Sequence, residues 1–100
     1  MPKAYIIARA DITDPDAYAL YAKGAGEAMK IYGARIVVRG GPCELLEGEG
    51  RARNVVLEFP SVEAARTYFH SPEYQAARQH RLGKAAFDAI LVEGWDGPQP

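Results

Sequence analysis

The chain has 100 residues, enough for one domain with a small core. Its formal net charge of −1 sets up no global field that would draw it to nucleic acid or to an anionic membrane. Its one cysteine, Cys43, has no partner for an intrachain disulfide or for a cysteine metal site.

The elements follow in chain order. "KAYIIARA" alternates β-branched, aromatic and small residues and reads as a strand. Its apolar run is broken by Arg9 and Asp11, too soon for a signal peptide or a membrane span, so a cytoplasmic protein of one domain over residues 1–100 is expected. Asp14 is suited to cap a helix and Pro15 to open it. Tyr18, Tyr21, Ala25, Ala28 and Tyr32 then recur at spacings of three and four, which is one helix face. Gly24 and Gly26 each weaken that helix by about 1 kcal/mol relative to Ala, and packing is expected to carry it across them to a stop at Gly33.

"ARIVVRGG" is the second strand. "GGP" interrupts it as a bulge or bend, and "CELLEG" is read as continuing the same edge. "GEGR" turns the chain into "ARNVVLEFP", the third strand. Ser61 caps a helix with Val62, Ala65 and Phe69 on one face. Ser71 and Pro72 repeat the capping pattern, so "HSP" is a junction between two helices rather than the interior of one. His70 therefore ends one helix and His80 lies near the end of the next, on no common face. "FDAILVEGW" is the fourth strand, with Leu91, Glu93 and Trp95 opposite Ile90 and Val92, and "DGPQP" is an irregular tail.

Strand, helix, strand, strand, helix, strand is the βαββαβ order of a ferredoxin-like α+β fold. It predicts a four-stranded antiparallel sheet with the helices on one face. The helix side takes Ile6, Ala8, Ile36, Val38, Val55, Leu57, Phe59, Ile90 and Val92. The other side mixes Tyr5, Ile7, Val37, Val56 and Leu91 with Arg9, Arg35, Arg39, Asn54, Glu58 and Glu93. A water-facing sheet is expected to be mostly polar, so aliphatics on all four strands mark a partner or ligand surface. Two such sheets face to face bury the aliphatics and enclose a cleft, giving a homodimer.

Candidate site residues come from that mixed face. Arg39, before Gly40 and Gly41, can grip a carboxylate in a bidentate fork while glycine admits a close approach; the plainer reading is an ion pair with Glu58 or Glu93. Arg9 and Asn54 share the face and join the binding set with Gly40. Glu58 and Glu93 form a general acid/base pair if the cleft desolvates them, and ordinary carboxylates if arginines neutralise them. His70 is a proton shuttle at the cleft mouth or simply a helix-terminal histidine. Cys43 is read as a small apolar residue, and Tyr18, Tyr21 and Tyr32 as core or interface aromatics. No histidine and carboxylate spacing makes a metal site, and no cofactor motif is present.

The stretches "RIVVRGG", "RNVVLEFPS", "HSPEYQAA" and "VEGWDGPQP" resemble a bacterial family known only as domain of unknown function thirteen-thirty, in the dimeric α+β barrel superfamily. The resemblance runs over essentially the whole chain. It implies a ferredoxin-like protomer and a homodimer whose two sheets close a barrel. It assigns no reaction, so no catalytic residue is carried over. The wider superfamily spans cofactor-independent monooxygenases, haem-degrading enzymes, muconolactone-isomerase-like proteins and ligand-binding regulator domains, which shows that this fold does not set function. The functional expectation is a cofactor-free enzyme acting on a small anionic or carbonyl-bearing organic compound. The alternative is a non-catalytic ligand-binding or stress-associated module.

Overall fold

A computed structural model describes residues 2–100. The elements are β1 (Ala4–Ile12), α1 (Pro15–Tyr32), β2 (Arg35–Arg39), β3 (Arg53–Phe59), α2 (Val62–Phe69), α3 (Pro72–Arg81) and β4 (Ala85–Glu93). The strands make one antiparallel sheet in the order β2-β3-β1-β4, as the ferredoxin-like arrangement requires. No helix among the described residues is long and apolar enough to cross a membrane.

Each helix starts where its cap dictates. The Asp14 carboxylate accepts from the Ala17 amide, the Ser61 hydroxyl from Ala64 and the Ser71 hydroxyl from Tyr74, each at 3.1 Å. Gly33 ends α1 in the left-handed conformation, at φ 74°. α1 runs unbroken through Gly24 and Gly26. At Gly24 the reason is contact with α3, since a Cβ there would sit 2.8 Å from that of Ala77. The small residue lets two helices approach where propensity alone argues against it.

The core lies between the sheet and the helices. Ala4, Ile6, Leu57 and Phe59 come from the strands; Tyr18, Tyr21, Ala25 and Ala28 from α1; Ala65, Tyr68, Tyr74 and Ala77 from α2 and α3.

Three expectations about the strands are corrected. First, residues 41–52 form no strand: beyond Gly40 the chain leaves the edge, and Leu45 and Leu46 are exposed. Second, the irregularity in β2 comes earlier than "GGP". Ile36 pairs with Leu57, but Val38 pairs with Val56, so Val37 is the extra residue. One extra residue inverts everything after it. Val38 joins the open face, and Arg39, paired with Val55, turns to the helix side.

Third, β4 lies in the opposite sense. Leu91 pairs with Ile6 and packs against the core, while Ile90 and Val92 stand on the open face, 58% and 40% exposed. Asp88 decides this. Residues 85–92 are otherwise apolar, so alternation is silent, but Phe87 and Leu91 inward put Asp88 outward, where it meets Arg9 at 3.4 Å. The other sense would bury a carboxylate. Glu93 consequently pairs with Ala4, on the opposite side of the sheet from Glu58.

Candidate functional site

The β2 bulge and the alternation of β3 bring two arginines to one side. Arg39 sits beside Val55, and Arg53 precedes Val55 by two residues, on the same face. Both line a cavity of about 350 Å³ between the sheet and the helices. That volume lies within the range of small-ligand sites. Lys30 of α1 also lines it. The remaining wall is apolar or aromatic, notably Ile6, Val55, Leu57 and Met29, with Tyr18, Tyr21, Tyr68, Tyr74 and Phe87.

Arg53 is held from two sides. Its guanidinium carbon lies 5.7 Å from the centroid of Tyr18, a cation–π contact. It also lies directly against Gly40, at the space a Cβ would fill. Gly40 has φ +64° and donates its amide to the Asn54 carbonyl at 2.8 Å. The glycine expected to admit a ligand thus admits a guanidinium. The Nε of Arg53 is buried with no hydrogen-bond partner. Among the described residues, no carboxylate reaches ion-pair distance of Arg39 or Arg53.

Deeper in the fold, Arg81 repeats this pattern. It is 7% exposed and ends α3, with its guanidinium carbon 3.6 Å from the Phe87 centroid and 4.9 Å from that of Tyr21. Its Nε also lacks a partner. Tyr21 and Tyr74 hydroxyls lie 2.9 Å apart. Burial first, then the neighbouring Tyr74, pushes the Tyr21 phenol far above its usual range; burial does the same to Tyr68.

The other candidate residues disperse. Glu58 stays on the open face, where Lys3 at 3.3 Å, Tyr5 at 3.3 Å and Arg35 at 3.6 Å surround it. Partial burial raises its pKa, but hydrogen bonding and charge from Lys3, with Tyr5 and Arg35, outweigh this and hold it below the ordinary value. Glu93 is exposed and on the other side, so the two glutamates form no acid/base pair. Arg9 reaches Asp88 on the open face, and Asn54 donates to the Arg51 carbonyl at 3.1 Å; neither lines the cavity. His70 follows α2, with its ring edge-on to Phe69 at 5.2 Å. It lines a second depression with Arg66 and Ile90, and Phe69 lines both spaces. Cys43 is on the surface. Among the described residues no cluster of three or more His, Cys, Asp or Glu is placed to hold a metal.

Arg53 and the tyrosines are the cavity residues that the face assignment missed, with Arg81 packed behind them. Arg53 shares its alternation with Val55, Leu57 and Phe59, and Arg81 lies four residues after Ala77 and seven after Tyr74 on one helix face. A cation on an apolar stripe is the signal in both cases.

A family model described as "Domain of unknown function (DUF1330)" matches residues 3–95. The chain belongs to that family. Two of the solved structures that resemble this DUF1330 chain are described as proteins of unknown function. A Rhodopseudomonas palustris protein of unknown function is 22% identical, with a TM-score of 0.76 over 96% of this chain and 85% of that one. A crystal structure of a methylated protein gives 19% identity and a TM-score of 0.79, over 98% and 84%. A Bacteroides fragilis protein, described as dimeric with a ferredoxin-like fold, is 16% identical, with a TM-score of 0.55 over 92% and 96%. At these identities the likeness is one of fold. No curated protein matches this DUF1330 chain.

Proposed function

We propose that this protein binds a small organic acid with an apolar body in the cavity between α1 and the sheet, and does so as a homodimer. The observation that carries the reading is the pair Arg39 and Arg53, on one face of an aromatic cavity without a carboxylate partner among the described residues. Arg53 is half-buried with its Nε unpartnered, and Arg39 stands exposed at the rim beside it; an anion completes the first and is drawn in by the second, and the planar fork of arginine suits a carboxylate. The aromatic and aliphatic lining then suits the ligand's carbon skeleton.

Binding is favoured over catalysis by where the titratable groups lie. Glu58 is outside the cavity and neutralised, Glu93 is exposed, and His70 lies in the neighbouring depression. Burial holds the phenols of Tyr21 and Tyr68 in their protonated form. A ligand-binding module therefore fits better than a cofactor-free enzyme.

The homodimer is supported by the open face. With β4 in its observed sense, Ile7, Val38, Val56, Ile90 and Val92 stand together across all four strands, and the charges beside them are already paired within the chain: Arg9 with Asp88, Glu58 with Lys3 and Arg35. An apolar centre with a satisfied polar rim is how stable interfaces are built. The description of the Bacteroides fragilis neighbour as dimeric agrees with it.

The test is a thermal-shift screen of small carboxylic acids against their neutral amides. Acids are expected to raise the melting temperature by mass action, equivalent to about 2.7 kcal/mol at a hundredfold excess over Kd, and amides to do little. Amides that match their acids contradict the anion site. Sedimentation equilibrium reads the assembly, and a monomer throughout the micromolar range contradicts the dimer.

A further inference from the structure

Four phenols line the cavity, and only two of them are joined by a hydrogen bond. Tyr18, Tyr21, Tyr68 and Tyr74 are each more than nine-tenths buried. Their rings succeed one another: Tyr18 to Tyr21 at 5.2 Å, Tyr21 to Tyr74 at 6.0 Å and Tyr74 to Tyr68 at 5.0 Å between centroids. Only Tyr21 and Tyr74 join hydroxyls, at 2.9 Å. Two hydroxyls sharing one hydrogen bond leave one proton over. Among the described residues no acceptor is found for that proton, and the hydroxyls of Tyr18 and Tyr68 make no hydrogen bond, their oxygens being open rather than sealed as the Nε atoms of Arg53 and Arg81 are. A phenol proton that faces a cavity is available to a ligand acceptor.

A second, independent feature lies behind the same wall. The Arg81 guanidinium stacks on Tyr21 and Phe87, buried, with its Nε unpartnered and no carboxylate at ion-pair distance among the described residues. A buried positive charge makes this end of the cavity favourable to an electron-rich oxygen and unfavourable to a ligand ammonium. The charge also polarises the phenol beneath it toward donating.

We propose that the ligand of this cavity carries, besides the anion held by Arg39 and Arg53, a carbonyl oxygen that accepts from the Tyr21–Tyr74 hydroxyl pair, so that its class is oxo-carboxylates with an apolar body. The inference rests on the anion reading above and adds the second functional group. A carbonyl completes the pair because it only accepts, and the leftover phenol proton is only to be given. The hydrogen bond between the two phenols strengthens the free donor by polarisation.

The test uses two acids that share a skeleton: benzoylpropionate, with a ketone beside the phenyl ring, and phenylbutyrate, without it. Calorimetric titration of the full chain is expected to give roughly ten-fold tighter binding of benzoylpropionate, the worth of one well-made hydrogen bond in a desolvated site. The double variant Tyr21→Phe/Tyr74→Phe keeps both rings and should bring the two acids to within about two-fold. Both hydroxyls are removed together because either alone retains a proton to give. Phenylbutyrate bound as tightly as benzoylpropionate by the unmodified protein overturns the carbonyl claim and leaves the anion site standing. A ten-fold preference that survives in the double variant overturns it too. Failure of both acids to bind removes the anion site and this inference with it. Infrared spectroscopy gives a readout that needs no variant. The ketone stretch of bound benzoylpropionate should fall below its frequency in an apolar solvent, and a stretch at the apolar-solvent value overturns the inference.

Discussion

Replacing Gly40 by alanine perturbs the candidate site from a residue that does not itself line the cavity. Two effects add. The φ of +64° places an alanine in the left-handed region, at about 1–2 kcal/mol. The new Cβ also occupies the space held by the Arg53 guanidinium, which must move away from Tyr18 and forfeit a cation–π contact worth about 0.5–1 kcal/mol at a partly exposed position. The expected loss is therefore roughly 1.5–3 kcal/mol. Gly33→Ala separates the two effects. Gly33 has a similar φ of +74° but open space where the Cβ would stand, so it should lose only the backbone part, roughly 1–2 kcal/mol. The assay is urea denaturation of both variants, with calorimetric titration of phenylbutyrate alongside. Gly40→Ala should bind the acid more weakly than the unmodified protein, and Gly33→Ala should bind it unchanged. Gly40→Ala that is no less stable than Gly33→Ala, and that binds normally, would refute the placement of Arg53.

Ser71→Ala removes a hydroxyl that both caps α3 and donates to the Tyr68 carbonyl at 2.7 Å, so it should cost about 1–2 kcal/mol in denaturant; an unmoved midpoint contradicts the helix junction. Acid should destabilise the fold. Asp11, through the Ala52 amide and then Arg51, Asp88 through Arg51, Glu73 through Tyr32, and Glu58 through Lys3, Tyr5 and Arg35 against the opposing effect of partial burial, all have lowered pKa values. A lowered folded pKa contributes stability that is complete above the unfolded value, near 4, and is lost as pH falls through the folded value. The melting temperature should thus hold down to about pH 5 and fall below about pH 4, and a flat profile down to about pH 2 contradicts these contacts. Val56→Asp puts a charge amid Ile7, Val38 and their neighbours on the open face and should shift sedimentation from dimer to monomer; an unchanged dimer moves the interface elsewhere.

The helices and the sheet order are legible from local chemistry. Asp14 with Pro15, Ser61, and Ser71 with Pro72 each announce a helix start, and Tyr18, Tyr21, Ala25 and Ala28 trace the buried stripe of α1. The faces of β2 and β4 are less so, for different reasons. In β2 a bulge at Val37 reverses Arg39, and "RIVVR" carries no glycine or polar break to announce it. In β4 the near-continuous apolar run hides its alternation, and Asp88 alone marks the outward side. These two reversals remove Arg39 and Glu93 from the company of Glu58. The cavity itself has no local signature. It is lined by tyrosines from all three helices, and each tyrosine reads as ordinary core until its neighbours are known. Arg53 and Arg81 are cations in apolar positions, a signal the face assignment did not use; Arg53 lines the cavity and Arg81 packs behind its tyrosines.

The most direct measurement of the central claim is calorimetric titration of phenylbutyrate into the unmodified protein, Arg39→Met and Arg53→Met. Methionine keeps an unbranched apolar side chain and removes the charge, and no carboxylate partner among the described residues is stranded by it. Both variants should fold; Arg53→Met should lose roughly 2–5 kcal/mol of affinity for the acid, and Arg39→Met, at an exposed position, a smaller amount. Equal affinity across all three proteins would contradict the anion site.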